Sequence, residues 1–147
     1  MPLSDDDERH LRRAIELAGA ARAAGNMPFG SILVGPTGEV LAEDRNTVLT
    51  DRDITAHPEL KLARWAGQHL GPDVARETTM YTSCQPCPMC AGAIARSGLG
   101  RVVFALSGEQ LQALRPPGSL APDAAEVRYD GPALHDEARG PVDGYYG

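Results

Sequence analysis

Pro86-Cys87-Pro88-Met89-Cys90, preceded upstream by His57-Pro58-Glu59, holds the most informative pattern in this chain. Pro88 suits the first turn of a helix, where its missing N–H would have no intrahelical partner. Cys87 and Cys90 are three residues apart, so both sulfurs can lie on one face at the start of that helix. The positive end of the helix dipole favours thiolate there, the form that binds metal. Two thiolates make half of a tetrahedral zinc site. His57 stands just before a second helix start at Pro58 and can supply a third donor. Three protein ligands leave the fourth position to water, the pattern of a catalytic rather than a structural zinc site. Zinc lowers the pKa of such a water from about 15.7 toward about 7. The spacing of Glu59 from His57 does not by itself place its carboxylate beside the metal, because residues two apart on a helix point apart.

Outward from these segments, the pattern alternates strands and helices. Ser4 reads as an N-cap, with Asp5-Asp6-Asp7 as a solvated acidic first turn. Leu11, Ile15 and Ala18 then recur at helical spacing until Gly25-Asn26 ends the helix. Residues 29–35 read as a buried strand, Pro36-Thr37-Gly38 as a turn, and residues 39–43 as its hairpin partner. Residues 47–55 are polar and irregular. A helix is expected over 58–66, a strand over 78–82, a helix over 88–96 and a strand over 101–106. Residues 126–129 suit a short last strand, and 134–139 a helix. The alternation argues for an α/β sandwich.

The chain has 147 residues, about one domain's worth, with 42% hydrophobic and 23% charged residues. The net charge is −6, whereas affinity for a polynucleotide usually rests on excess Lys and Arg. That balance argues against a nucleic-acid substrate and for a small molecule. All three cysteines fall within residues 84–90, which suits metal or redox use in a reducing compartment better than a disulfide framework. The acidic N-terminus has no leader pattern and no apolar run is long enough for a bilayer, so a cytoplasmic location is expected. The plain readings of other residues are structural: Cys84 as an ordinary buried thiol, His10 and His69 as surface residues on helices, Trp65 as helix packing.

The segments His57-Pro58-Glu59 and Pro86-Cys87-Pro88-Met89-Cys90 match the pattern H-x-E…P-C-x-x-C of the zinc deaminases. Together with residues 28–34 (Pro-Phe-Gly-Ser-Ile-Leu-Val), Asn46, and Arg101-Val102-Val103-Phe104, they make the chain resemble the cytidine deaminase superfamily. The resemblance is nearest to the branch of guanine deaminases, cytosine deaminases and tRNA adenosine deaminases. It implies a three-layer α/β/α sandwich with a central five-stranded mixed sheet, the two metal-bearing helices on one side. It also implies one zinc per subunit with a bound water, held by His57, Cys87 and Cys90, and Glu59 as the proton carrier. Asn46 matches the family asparagine that hydrogen-bonds the ring, and Phe29 a pocket wall. Family members of this branch are commonly homodimers. The chain departs from the family where Pro58 replaces the usual alanine, deleting a backbone N–H that can contact the ring. Gln85 replaces a common glutamate, which alters bonding around the ligands.

Relatives also use late carboxylates and aromatics to hold the ring. Asp136 and Glu137 are candidates for the former, with Glu109 a weaker one, and Tyr145 and Tyr146 for the latter. The whole chain then reads as a single deaminase domain whose segment 132–147 closes the pocket or is swapped between subunits. The leading expectation is a deaminase of a free base, guanine or a related aminopurine, pyrimidine or triazine. The alternatives are a tRNA-specific adenosine deaminase and a zinc-stabilised binding module without turnover.

Overall fold

Ser4 caps the first helix as expected: its hydroxyl accepts from the Asp7 N–H, and Asp7 returns a bond to the Ser4 N–H. In the computed structural model, which describes residues 2–119 and 126–147, this helix α1 spans Asp5–Ala23. Strands β1 (Gly30–Val34) and β2 (Val40–Arg45) form the hairpin. A single helical turn α2 (Val48–Asp51) and the helix α3 (Pro58–His69) follow. Next come α4 (Pro72–Arg76), β3 (Thr79–Cys84), α5 (Pro88–Ser97) and β4 (Arg101–Leu106). The short helices α6 (Gly108–Ala113) and α7 (His135–Arg139) complete the described elements. None of the described helices is long and apolar enough to cross a membrane.

The sheet runs in the order β2-β1-β3-β4. β1 is antiparallel to both neighbours, pairing Ile32 with Glu43 and with Tyr81. β3 and β4 are parallel, with Tyr81 opposite Val103, so α5 is the crossover that parallel strands require. Because β1 is covered on both faces, all five of its residues are buried. Alternation divides them. Ile32, Val34, Tyr81 and Val103 pack with Leu11 of α1 on one face. Leu33 and Met80 pack with Leu62, Ala63, Ala66 and Ile94 on the face covered by α3 and α5. Full burial of side chains such as Ile32, Leu33 and Met80 contributes about 1.5–3 kcal/mol each. Three layers result, and both metal-bearing helices lie on one side, as expected. Gly30 allows the close approach of α1: a Cβ there would lie 2.5 Å from the Ala14 carbonyl oxygen. Gly98 ends α5 at φ +89°, a left-handed position that favours glycine.

The structure corrects several expectations. The sheet has four strands among the described residues, not five. Residues 126–129 are exposed and irregular, and Arg128 bonds its near neighbour Asp130; alternation alone makes no strand without a ladder partner. α3 runs through Gly67 to His69. The buried stripe of α1 is Asp7, His10, Leu11, Ala14, Ala18 and Ala21, while Ile15 is half exposed.

Asp7 and His10 are therefore not surface residues. Asp7 accepts from the Tyr81 hydroxyl at 2.7 Å and from both terminal nitrogens of Arg101 at 3.0 and 3.1 Å, and His10 lies against the Tyr81 ring at 4.9 Å. Arg101 first, then Tyr81, hold the Asp7 carboxyl well below the usual carboxylate range. A depressed carboxylate stabilises the fold above its unfolded pKa, and that stability is lost as pH falls toward the folded value. Asp7→Asn should cost about 2 kcal/mol at pH 7, with half-exposed Arg101 partly relieved by water. Urea unfolding across pH should show the gap between wild type and variant closing below about pH 4.

Candidate active site

Two helix starts build the site. Pro58 is the first residue of α3, with His57 as its extended N-cap; Pro88 is the first residue of α5, with Cys87 as its extended N-cap. α3 and α5 pack side by side, which brings the two N-caps together. The His57 Nδ1 lies 3.7 Å from the Cys87 sulfur and 3.5 Å from the Cys90 sulfur. All three donor atoms lie within 4.8 Å of one another.

These donors fit zinc. Zn–S near 2.3 Å and Zn–N near 2.0–2.1 Å at a tetrahedral angle give an N···S edge of about 3.6 Å, between the two observed distances. The electrostatics agree. A hydrogen bond from Cys90 and then contact with His57 bring the Cys87 thiol down to about 4. Cys90, bonded to that thiolate, buried, and close to Glu59, is pushed up instead. Two adjacent thiols cannot both ionise on these terms; a divalent cation shared between them removes the conflict.

Glu59 is buried, with 6% of its surface exposed, in the first turn of α3. Burial pushes its carboxyl up to about 7, opposed by a backbone hydrogen bond and by His57. Burial first, then the charge of Glu59, raises Cys84; the charge of Glu59 also adds to the rise of Cys90, and that of Cys87 to the rise of Glu59. Cys84 itself is a buried thiol at the end of β3, as its plain reading has it.

Asn46 lies directly after β2 and is fully buried. Its backbone N–H donates to the Phe29 carbonyl at 3.0 Å, and its Oδ1 accepts from the Val48 N–H at 3.0 Å. Its Nδ2 is, among the described residues, a buried side-chain donor with no protein partner. Such an atom usually marks a place for a ligand or water. Phe29 is half buried and Pro58 fully buried. Thr47 donates its N–H to the Ala56 carbonyl at 3.1 Å, which sets the residue after Asn46 against the residue before His57.

The structure gathers His57, Glu59, Cys87 and Cys90. It does not bury the late residues. Every residue from 126 to 147 is exposed; Asp136 pairs with its neighbour His135, and Tyr145 meets Tyr146 edge to face at 5.0 Å. Glu137 and Glu109 are likewise exposed. Gln85 turns away to α6, accepting from the Gly108 N–H at 2.8 Å. Lys61 was not singled out by the sequence reading. It is the chain's single lysine, and its ammonium bridges Asp44 and Thr47 on either side of Asn46.

Residues 4–106 match the model of the cytidine and deoxycytidylate deaminase zinc-binding region, and the chain belongs to that family. It is 33% identical to a probable cytosine deaminase of Schizosaccharomyces pombe, over 98% of this chain and 94% of that protein. It is 35% identical to the guanine deaminase of Bacillus subtilis, over 92% and 79% respectively. The crystal structure of that guanine deaminase superposes with a TM-score of 0.75 at 28% identity, covering 98% of this chain and 94% of the other. It is 36% identical to a tRNA-specific adenosine deaminase of Haemophilus influenzae over 71% of this chain, which spans 60% of that protein's length.

Proposed function

We propose that this chain is a zinc-dependent hydrolytic deaminase of a free nucleobase or nucleobase-like ring, guanine or a related aminopurine, pyrimidine or triazine. The observation that carries the reading is three metal donors within 4.8 Å of one another, one short of a tetrahedral set, with a buried carboxylate, Glu59, two residues from the His57 donor. A purely structural metal centre has no use for such a carboxylate. Bound zinc supplies a Lewis acid that makes water available as a nucleophile near neutral pH. Glu59 takes a proton from the attacking water and delivers it to a ring nitrogen. It then takes the second proton from the oxygen now on the ring carbon and passes it to the departing amine, so that the C–N bond breaks, ammonia leaves and the oxygen stays as a carbonyl. Burial keeps Glu59 able to hold the proton between these transfers.

Asn46 holds the ring: its free Nδ2 donor calls for an acceptor, a carbonyl or ring nitrogen, on the substrate. Phe29 walls the pocket, and Pro58 withholds the backbone N–H that the family's usual alanine could offer the ring. The segment 132–147 closes the pocket within a homodimer, and Asp136, Glu137, Tyr145 and Tyr146 contribute from it. Supporting this is the exposure of four large apolar or aromatic residues in one short segment, Leu134, Val142, Tyr145 and Tyr146, the last two in edge-to-face contact.

The free-base reading rests on the net charge of −6 and on relatives of nearly full length named for guanine and cytosine. The test is ammonia release from guanine, cytosine, isocytosine, adenine, 8-oxoguanine and aminotriazines, run beside tRNA. Release from at least one free base, lost when residues 132–147 are removed, is expected. Release from tRNA alone would move the chain to the adenosine deaminase reading, and release from none would leave a binding module.

A further inference from the structure

Lys61 lies four residues beyond His57 on α3, and its N–H donates to the His57 carbonyl at 3.0 Å. Its side chain is 17% exposed, and its Nζ lies 2.9 Å from Asp44 Oδ1 and donates to Thr47 Oγ1 at 3.0 Å. Thr47 Oγ1 passes a bond to Asp51 Oδ2 at 2.6 Å. The ammonium thus ties the helix that carries His57 and Glu59 to both sides of Asn46. Phe29 and Ala56 hold residues 46 and 47 only through the backbone, and Asn26 reaches further on, to Leu49 and Thr50.

Building on the deaminase reading, we propose that Lys61 is a positioning residue for the ring. It sets the distance from the Asn46 Nδ2 donor to the proton-carrying end of α3 and thereby tunes substrate affinity. A lysine is suited to this, because three donors on one flexible stem can meet a carboxylate and a hydroxyl that lie in different directions. A bond to the ring made equally in ground and transition states appears in KM rather than kcat. Loss of its support therefore belongs to KM.

The test compares Lys61→Met, Lys61→Arg, Asp44→Asn and Asn46→Ala in the full-length zinc-loaded protein. Lys61→Met should raise KM about tenfold, the scale of losing an outer support, with kcat within about twofold and zinc content unchanged. Lys61→Arg should recover most of that loss, and Asp44→Asn, which cuts the same bridge from the other side, should reproduce part of it. Lys61→Met combined with Asn46→Ala should match Asn46→Ala alone, since one residue acts through the other. Hydrogen exchange at the amides of Asn46, Thr47 and Val48 should quicken about tenfold in Lys61→Met while those of α5 hold. An unchanged KM, effects that multiply in the double variant, or unchanged exchange at 46–48 would each overturn the positioning role. A wild type that releases no ammonia from any base overturns the functional reading alone, and exchange then decides the positioning.

Discussion

Glu59→Gln retains one zinc per chain, folds normally and loses about 10³-fold or more in ammonia release. That is the expected result with the largest effect on turnover. A single positioned acid–base group is worth about 10²–10⁴, and Glu59 is assigned every proton transfer in the reaction. Glutamine preserves the volume and one acceptor oxygen of the side chain but can neither take a proton from water nor give one to the amine. Metal binding is untouched because the donors are His57, Cys87 and Cys90. The fold is untouched, or gains slightly, because the change removes a desolvated ionisable group from a site with 6% exposure. Single-turnover ammonia release with parallel zinc analysis checks both halves. Full activity in Glu59→Gln would sink the assignment of the proton carrier.

Cys87→Ser is the second large effect, and it falls on the metal. Cys87 is half buried, so a hydroxyl of nearly the same size is tolerated there. A serine hydroxyl at neutral pH does not supply the anionic sulfur that zinc favours. Losing merely an outer support of a metal ligand costs about 10–100-fold in affinity. Loss of a ligand itself should exceed that range, and ammonia release should fall with zinc occupancy. Stability gives a second readout: zinc at a hundred times its dissociation constant stabilises a fold by about 2.7 kcal/mol. A chelator should therefore lower the melting temperature of wild type and leave that of Cys87→Ser unmoved. A variant that still holds one zinc per chain with wild-type affinity would show that the three donors do not work as one site.

Both predictions rest on residues that are readable in one dimension, and the reason is local. A helix start is announced by a few neighbouring residues: proline at the first turn, a ligand just before it, Gly98 at the far end of α5. Each such rule involves atoms within a turn of one another, so α3, α5, β3 and β4 lie close to where the pattern puts them. The Pro-Cys-x-x-Cys segment carries its chemistry in the same way, whereas the role of Glu59 comes from the family resemblance, because its spacing from His57 does not place it. Asn46 is harder to read. Alone it is a turn residue; burial and an unpartnered Nδ2 are what mark it out.

The misreadings share the opposite cause. Asp7 and His10 look like solvated helix residues because their partners, Arg101 and Tyr81, are far along the chain. Ile15 fits a helical stripe by spacing, yet the face that α1 turns to the sheet is chosen by the close approach at Gly30. Residues 126–129 carry strand-like alternation, but a strand exists only where another edge accepts its hydrogen bonds.

The helix starts and the donor types are legible along the chain, because they follow from bonds and dipoles within single turns; the proton-carrying role of Glu59 comes from the family resemblance instead. Tertiary structure alone decided that three donors from two helices stand at tetrahedral spacing, that Glu59 is dry, and that Lys61 joins Asn46 to α3. Those facts depend on how helices pack across a sheet, where distance in space has no fixed relation to distance along the chain.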